Sequence, residues 1–359
     1  MKKKTLSGLL VSGLVSLMLV LSSCISVGKK DADAKRYIDL HLHLDGAVTV
    51  DIARKLAKMQ DIQIPDSDEE LQRMLTVSPD CASLDDFLKC FAFPLSLMQT
   101  EESLTEAVRL VAENIRSQGV VYAEIRFAPQ LHTDNGMTQE DAIRAALKGI
   151  EKTKLKVNLI LCMMRGEDNE AENEETLALA KKYLVEDGGV VAVDLAGAEA
   201  LYPTSKYRNL FEKAKKEGIP FTIHAGEAAG AESVRQAIEF GALRIGHGVR
   251  SYEDPQVVSM LKEKGIFLEM CPTSNRQTCA VADMSKYPFM DYLNQGLLVT
   301  LNTDDMGIEG TTLADEFRYM EQNFGLNASQ EKTVLENSIN GAFTSDATKE
   351  WLRKELGIK

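Results

Sequence analysis

The chain has 359 residues, 44% of them hydrophobic and 26% charged, a balance that suits a folded globular protein able to bury one barrel-sized core or two smaller ones. Asp and Glu number 54 against 41 Lys and Arg, for a formal net charge of −13. An acidic body without a basic patch argues against nucleic acid as a partner and against electrostatic adhesion to anionic lipid.

The N-terminus differs from the rest. Lys2-Lys3-Lys4 precedes an apolar run from Leu6 to Leu21, and Leu21-Ser22-Ser23-Cys24 follows. The run is short and ends in small residues, which marks an export signal rather than a membrane-spanning helix. Its ending resembles a bacterial lipobox. That implies a signal peptide over 1–23, a lipid on Cys24, a tether to residue 35 and a folded body over 36–359. The expectation is an exported protein, lipid-anchored to a bacterial cell envelope and touching membrane only through that anchor. Cys81, Cys90, Cys162, Cys271 and Cys279 remain, an odd number without a Cys-x-x-Cys pair. Cys81–Cys90 and Cys271–Cys279 are the candidate bridges, with buried free thiols the alternative.

Tyr37 to Leu44 alternates polar and apolar residues with the two-residue period of a strand, and Gly46 breaks it. Val48 to Gln60 has helical spacing, Asp61 to Ala82 reads as polar connector, and Leu84 to Phe91 is a short amphipathic piece closed by Pro94. A helix over Glu101 to Ser117 leads to a strand over Val120 to Phe127. Thr138 to Asp141 forms a capping box that opens a helix to about Lys152. Strands then follow over Lys156 to Met164, Gly189 to Gly197, Pro220 to His224, Leu243 to His247, Ile266 to Met270 and Leu297 to Leu301. Helical patterns over Ala171 to Leu184, Ser205 to Glu217, Glu232 to Phe240 and Asp254 to Gly265 separate the first five of these. The tail from Leu313 is helical, including Glu331 to Ile339 and Thr348 to Leu356. Eight strands, most separated by a helix, predict an α/β fold, a (β/α)8 TIM barrel with extra helices after the first strand and at the C-terminus.

Residues two apart on a strand point the same way, so His41 and His43 present two imidazoles to one side. His224 closes the fifth strand, His247 the sixth, and Asp304-Asp305 follow the eighth. In a barrel, residues at the C-terminal strand ends meet at one mouth. Histidines and carboxylates gathered there suit Zn2+ with a position left for water, and Fe2+ or Co2+ fit the same ligand types. Such a metal makes hydroxide available near neutral pH. Glu227 lies three residues beyond His224, and a second carboxylate, Asp305, adjoins Asp304.

His41-Leu42-His43-Leu44-Asp45-Gly46, Asp194-Leu195-Ala196-Gly197, His224-Ala225-Gly226-Glu227, Gly246-His247-Gly248 and Thr303-Asp304-Asp305, in this order, resemble the adenosine deaminases of the metal-dependent amidohydrolase superfamily. The likeness runs from about Tyr37 to the C-terminus. It implies one zinc bound by His41, His43, His224 and Asp304, and Glu227 as the acid that protonates the purine ring nitrogen. It further implies that His247 polarises the attacking hydroxide, that the Gly197 N–H and Asp305 bind the purine, and that Asp45 binds the ribose. Leu84, Phe87, Leu88 and Phe91 would form an apolar lid. The implied substrate is a small purine nucleoside, adenosine or 2′-deoxyadenosine, taken by a monomer. The rival on the same scaffold is adenine deaminase, whose members tend to carry Glu at the Asp45 position. A non-catalytic nucleoside- or partner-binding surface lipoprotein is the rival outside enzymes. Ala198 stands where the family commonly has an acid, and Met306 where it often has Pro. His132 matches no motif and reads as structural.

Overall fold

The eight expected strands are present in the computed structural model, which describes residues 35–358. The signal peptide, Cys24 and most of the tether lie outside the described residues. The strands are β1 (Tyr37–His43), β2 (Val120–Phe127), β3 (Lys156–Met164), β4 (Val190–Ala196), β5 (Thr222–Ala225), β6 (Arg244–His247), β7 (Phe267–Met270) and β8 (Leu298–Leu301). All neighbours pair in parallel, β1 to β4 in one run and β5 to β8 in the other. The Val193 N–H donates to the Pro220 carbonyl at 3.0 Å, which joins β4 to β5. Beyond β8, the Asp304 N–H donates to the His41 carbonyl and the His43 N–H to the Asp304 carbonyl, both at 2.8 Å. That pair closes the ring, so a (β/α)8 barrel follows, and its closing bonds tie three site residues together.

Helices pack outside because their apolar stripes match the strands' outer faces. In Glu101–Ser117, Thr100 and Ser103 form a reciprocal cap, and Leu104, Val108, Val111 and Ile115 recur at helical spacing and are buried. Each such side chain contributes about 1.5–3 kcal/mol by leaving water. The Thr138–Asp141 capping box and the Asp254 cap ahead of Pro255 are both formed as expected.

Some elements differ from the sequence reading. The connector after the first helix contains the helix Asp68–Leu75, capped by Ser67, with only Leu71 and Leu75 buried. Two apolar positions are too few to show a period. Pro94 does not close the lid segment. It lies inside the helix Ala92–Ser96, within the first turn, where its missing N–H has no helical partner to lose. Short helices Pro272–Gln277 and Phe289–Asn294 fill the passage between β7 and β8. All five described cysteines are free thiols, so neither candidate bridge is formed. His132 is buried, with Nδ1 3.0 Å from the Met98 carbonyl oxygen, a structural role as expected.

The barrel interior is charged rather than oily. Arg126 pairs with Asp194 and Glu269, each at 2.8 Å. Arg244 pairs with Glu124 at 2.6 Å and with Glu269 at 2.5 Å, and all five side chains are fully buried. Burying such charges is tolerable only because each has opposite partners. The network forms a rigid floor beneath the C-terminal strand ends.

Candidate active site

β1 ends with His41 and His43 facing the barrel mouth, β5 brings His224, and Asp304 follows β8. The Asp304 Oδ1 atom lies 3.1 Å from His41 Nε2 and 3.3 Å from His43 Nε2. His43 Nε2 lies 3.2 Å from His224 Nε2. These three spacings match tetrahedron edges whose centre would lie about 2 Å from each corner, the ordinary zinc–nitrogen and zinc–oxygen distance. His41 Nε2 is buried and has no hydrogen-bond partner. Three imidazoles and a carboxylate converging on one point, with that nitrogen unpartnered, fit a divalent metal ion.

The ligands are held from behind. His41 Nδ1 is 2.7 Å from Glu269 Oε2, and His224 Nδ1 is 2.8 Å from Asp194 Oδ2. An acceptor at Nδ1 fixes the proton there and leaves Nε2 bare for a cation. Arg126 binds both carboxylates, so one guanidinium sets the orientation of two imidazoles. Burial works to raise the Asp304 carboxyl, but His41 and His247 beside it hold it well below the usual range. Burial drives His43 and His247 well below the usual imidazole value, which leaves both rings neutral at pH 7.

His247 and Asp304 both have positive backbone φ, 62° and 69°. For non-glycine residues that is strain, worth about 1–3 kcal/mol each, and it collects at sites that need a particular aim. His247 Nε2 sits 3.5 Å from Glu227 Oε2 and 3.7 Å from Asp304 Oδ2, within the cluster but farther from Asp304 than His41 or His43. Its Nδ1 is 3.1 Å from Asn275 Nδ2, and Tyr287 donates its hydroxyl to Asn275 Oδ1 at 2.9 Å. With the amide so oriented, Nδ1 accepts and Nε2 carries the proton. A ring protonated at Nε2 donates a hydrogen bond from that atom and offers no lone pair there, although His247 lies in one cluster with His41, His224 and Asp304.

Glu227 is buried, with Thr278 donating to its Oε1 at 2.9 Å. Burial first, then the charges of Asp304 and Glu199, push its carboxyl up to about 8. A carboxyl held protonated at neutral pH beside a bound substrate is a proton donor.

A cavity of about 260 Å³ opens over this cluster. His43, Asp45, Gly197, His224, Glu227, His247, Asp304 and Asp305 line it, with Leu84, Phe87, Leu88, Phe91 and Leu95 across from them. The four expected lid residues are therefore pocket walls. Gly46 is required: a Cβ there would stand 1.7 Å from Asp305 Oδ1. Gly197 has φ +101°, so the turn after β4 needs glycine where the backbone faces the cavity.

The residues that the resemblance implied for the metal, the acid and base, the substrate and the lid thus meet at one mouth. Asp194 stood in a quoted motif without a role. Glu269 and Arg126 were missed, as were Thr278, Asn275 and Glu199. The available signal was charge inside apolar strands, Glu124 and Arg126 in β2 and Glu269 alone in β7.

The sequence of residues 37–358 matches the family model described as adenosine deaminase. An adenosine deaminase of Haemophilus ducreyi is 48% identical over 322 residues, covering 88% of this chain and 94% of that protein. One from Enterococcus faecalis is 36% identical, covering 89% and 95%. Among solved structures, an adenine deaminase from Arthrobacter aurescens superposes with a TM-score of 0.81 at 28% identity, covering 90% of this chain and 98% of that one. With a site of this geometry and matches spanning the whole barrel, the chain belongs to the adenosine deaminase family.

Proposed function

We propose that the protein is a zinc-dependent hydrolase that converts adenosine, and 2′-deoxyadenosine, to inosine and ammonia. One observation carries this reading. Asp304 Oδ1 lies 3.1 Å from His41 Nε2 and 3.3 Å from His43 Nε2, and His43 Nε2 lies 3.2 Å from His224 Nε2, at a cavity that the buried Glu227 also lines. The three histidines and Asp304 would hold the metal, which lowers the pKa of water towards ~7 when bound. The chain's own groups do the rest. Glu227 gives its proton to the ring nitrogen beside the amino-bearing carbon, which makes that carbon electrophilic. His247 donates from Nε2 to the attacking oxygen and fixes its line of approach. After attack the carbon is tetrahedral; the proton of its new hydroxyl passes to the amino group, which leaves as ammonia and restores the ring as a lactam. The Gly197 N–H and Asp305 hold the base, Asp45 takes the ribose hydroxyl, and the walls from Leu84 to Leu95 exclude water.

The nucleoside is preferred to free adenine. Asp45 lines the pocket, and the adenosine deaminases are the more similar relatives, at 36–48% identity against 28% for the adenine deaminase. The test pairs metal analysis with an ultraviolet assay. One zinc per chain and faster turnover of adenosine than of adenine are expected. A clear preference for adenine would overturn the substrate, and no turnover of either by the metal-loaded protein would overturn the activity.

The Leu21-Ser22-Ser23-Cys24 ending further supports export and lipid attachment at Cys24. Fatty-acid labelling in the producing cells should mark the wild type and miss Cys24→Ala, and the variant should leave the membrane fraction. Equal labelling of both would reject the anchor.

A further inference from the structure

The loop after β5, residues 226–229, carries Glu227, and its geometry is set by a side chain from another strand. Glu199 follows the turn after β4 and is 1% exposed. Its carboxylate accepts four successive backbone N–H groups. Gly226 donates to Oε1 at 2.7 Å, while Glu227, Ala228 and Ala229 donate to Oε2 at 3.0, 2.8 and 2.9 Å. The Ser233 hydroxyl adds a fifth bond to Oε1 at 2.5 Å, from the first turn of the helix Ala231–Phe240. Consecutive amides curled round one anion form a nest, and charge-assisted bonds of this kind are among the strongest in proteins. The Ser233 Oγ atom also lies 2.7 Å from Thr204 Oγ1, which accepts from Arg165 Nη2 at 3.0 Å. Arg165 Nη2 in turn donates to the His224 carbonyl at 2.6 Å. Glu199 therefore locks the chain on both sides of Glu227, and no metal ligand is bonded to it directly.

We propose that Glu199 is a positioning residue for the reaction: its carboxylate fixes the 226–229 loop so that the Glu227 carboxyl meets the substrate nitrogen. This rests on the reading of Glu227 as the acid. Because Glu227 without that carboxylate would be held only by the bond from Thr278, on a loop free to shift, the effect belongs to kcat, leaving metal binding and substrate affinity in place. A misplacement of about 1 Å at a reacting group costs on the order of 100-fold in rate. In Glu199→Gln one oxygen becomes an NH2 that faces N–H donors, so the nest must open.

The test uses the full zinc-loaded protein with Glu199→Gln, Glu227→Gln and the double variant, scoring kcat, KM for adenosine and bound zinc. Glu199→Gln should lose about 100-fold in kcat, with zinc content and KM within a few-fold of wild type. In the double variant the second change should add little, since both remove the same contribution. If Glu199→Gln fails to fold, Ser233→Ala removes a single donor and should lower kcat several-fold with KM unchanged. Full turnover in Glu199→Gln (or in Ser233→Ala, if that variant is the one used), or losses that multiply in the double variant, would overturn the positioning role. Near-normal turnover in Glu227→Gln would instead overturn the acid itself, so the two failures are distinguishable.

Discussion

Glu227 makes the sharpest demand at the scale of single residues. Glu227→Gln keeps the shape and removes the transferable proton, so zinc should stay bound while kcat drops by about 10²–10⁴-fold. Normal rates with zinc bound would reject the acid. The pH dependence follows from the same carboxyl, raised to about 8 by burial and by the charges of Asp304 and Glu199. The working form is protonated, so kcat/KM should fall as pH rises through the pKa. A bound cation offsets the Asp304 contribution, which places that alkaline limb between the ordinary carboxyl range and 8. A profile still flat at pH 10 would contradict the assignment. Behind the ligands, Asp194→Asn leaves His224 without its anionic neighbour and should weaken zinc affinity about 10–100-fold, read by competition with a chelator.

Individual residues were legible unevenly. His41, His43, His224, His247 and Asp304 stood out because histidine is rare in this chain and each lies at a strand end. Glu199 was invisible: nothing in its local sequence says that its partners are backbone amides of a loop 27 residues on. Asn275 was hidden likewise, since an amide within a short helix carries no mark of a histidine partner at the end of β6.

Among the elements, β1 and the turn after it do the most. The backbone bonds of Asp304 to His41 and His43 close the barrel and set the ligand spacing in one step, and Gly46 lets Asp305 pass within a side chain's width of that turn. Gly46→Ala should force Asp305 aside and raise KM for the nucleoside at least tenfold with zinc retained; an unchanged KM would show that Asp305 does not contact substrate. Strand period and helix caps made most elements readable, as at Thr138 and Asp254. The helix Asp68–Leu75 escaped because two buried leucines make no stripe, and the helix Ala92–Ser96 because a proline in a first turn looks the same as a proline after a last one.

For the whole molecule, the barrel is organised around buried charge. Replacing Arg126 by Met leaves Asp194 and Glu269 facing each other without their shared cation, and should cost roughly 3–5 kcal/mol in urea unfolding of the metal-free protein. A loss under 1 kcal/mol would mean the network is not what supports the site. The barrel class was legible from strand–helix alternation. Its charged interior was not, because pattern gives a strand's period and leaves open which charges meet across the ring.

All of this depends on one ion held by four particular atoms, and anomalous X-ray diffraction at the zinc edge tests it most directly. The account predicts a single peak about 2.0–2.2 Å from Nε2 of His41, His43 and His224 and from the Asp304 carboxylate, with His247 beyond bonding reach. A peak coordinated by His247 in place of His43, or one remote from β1, would contradict it.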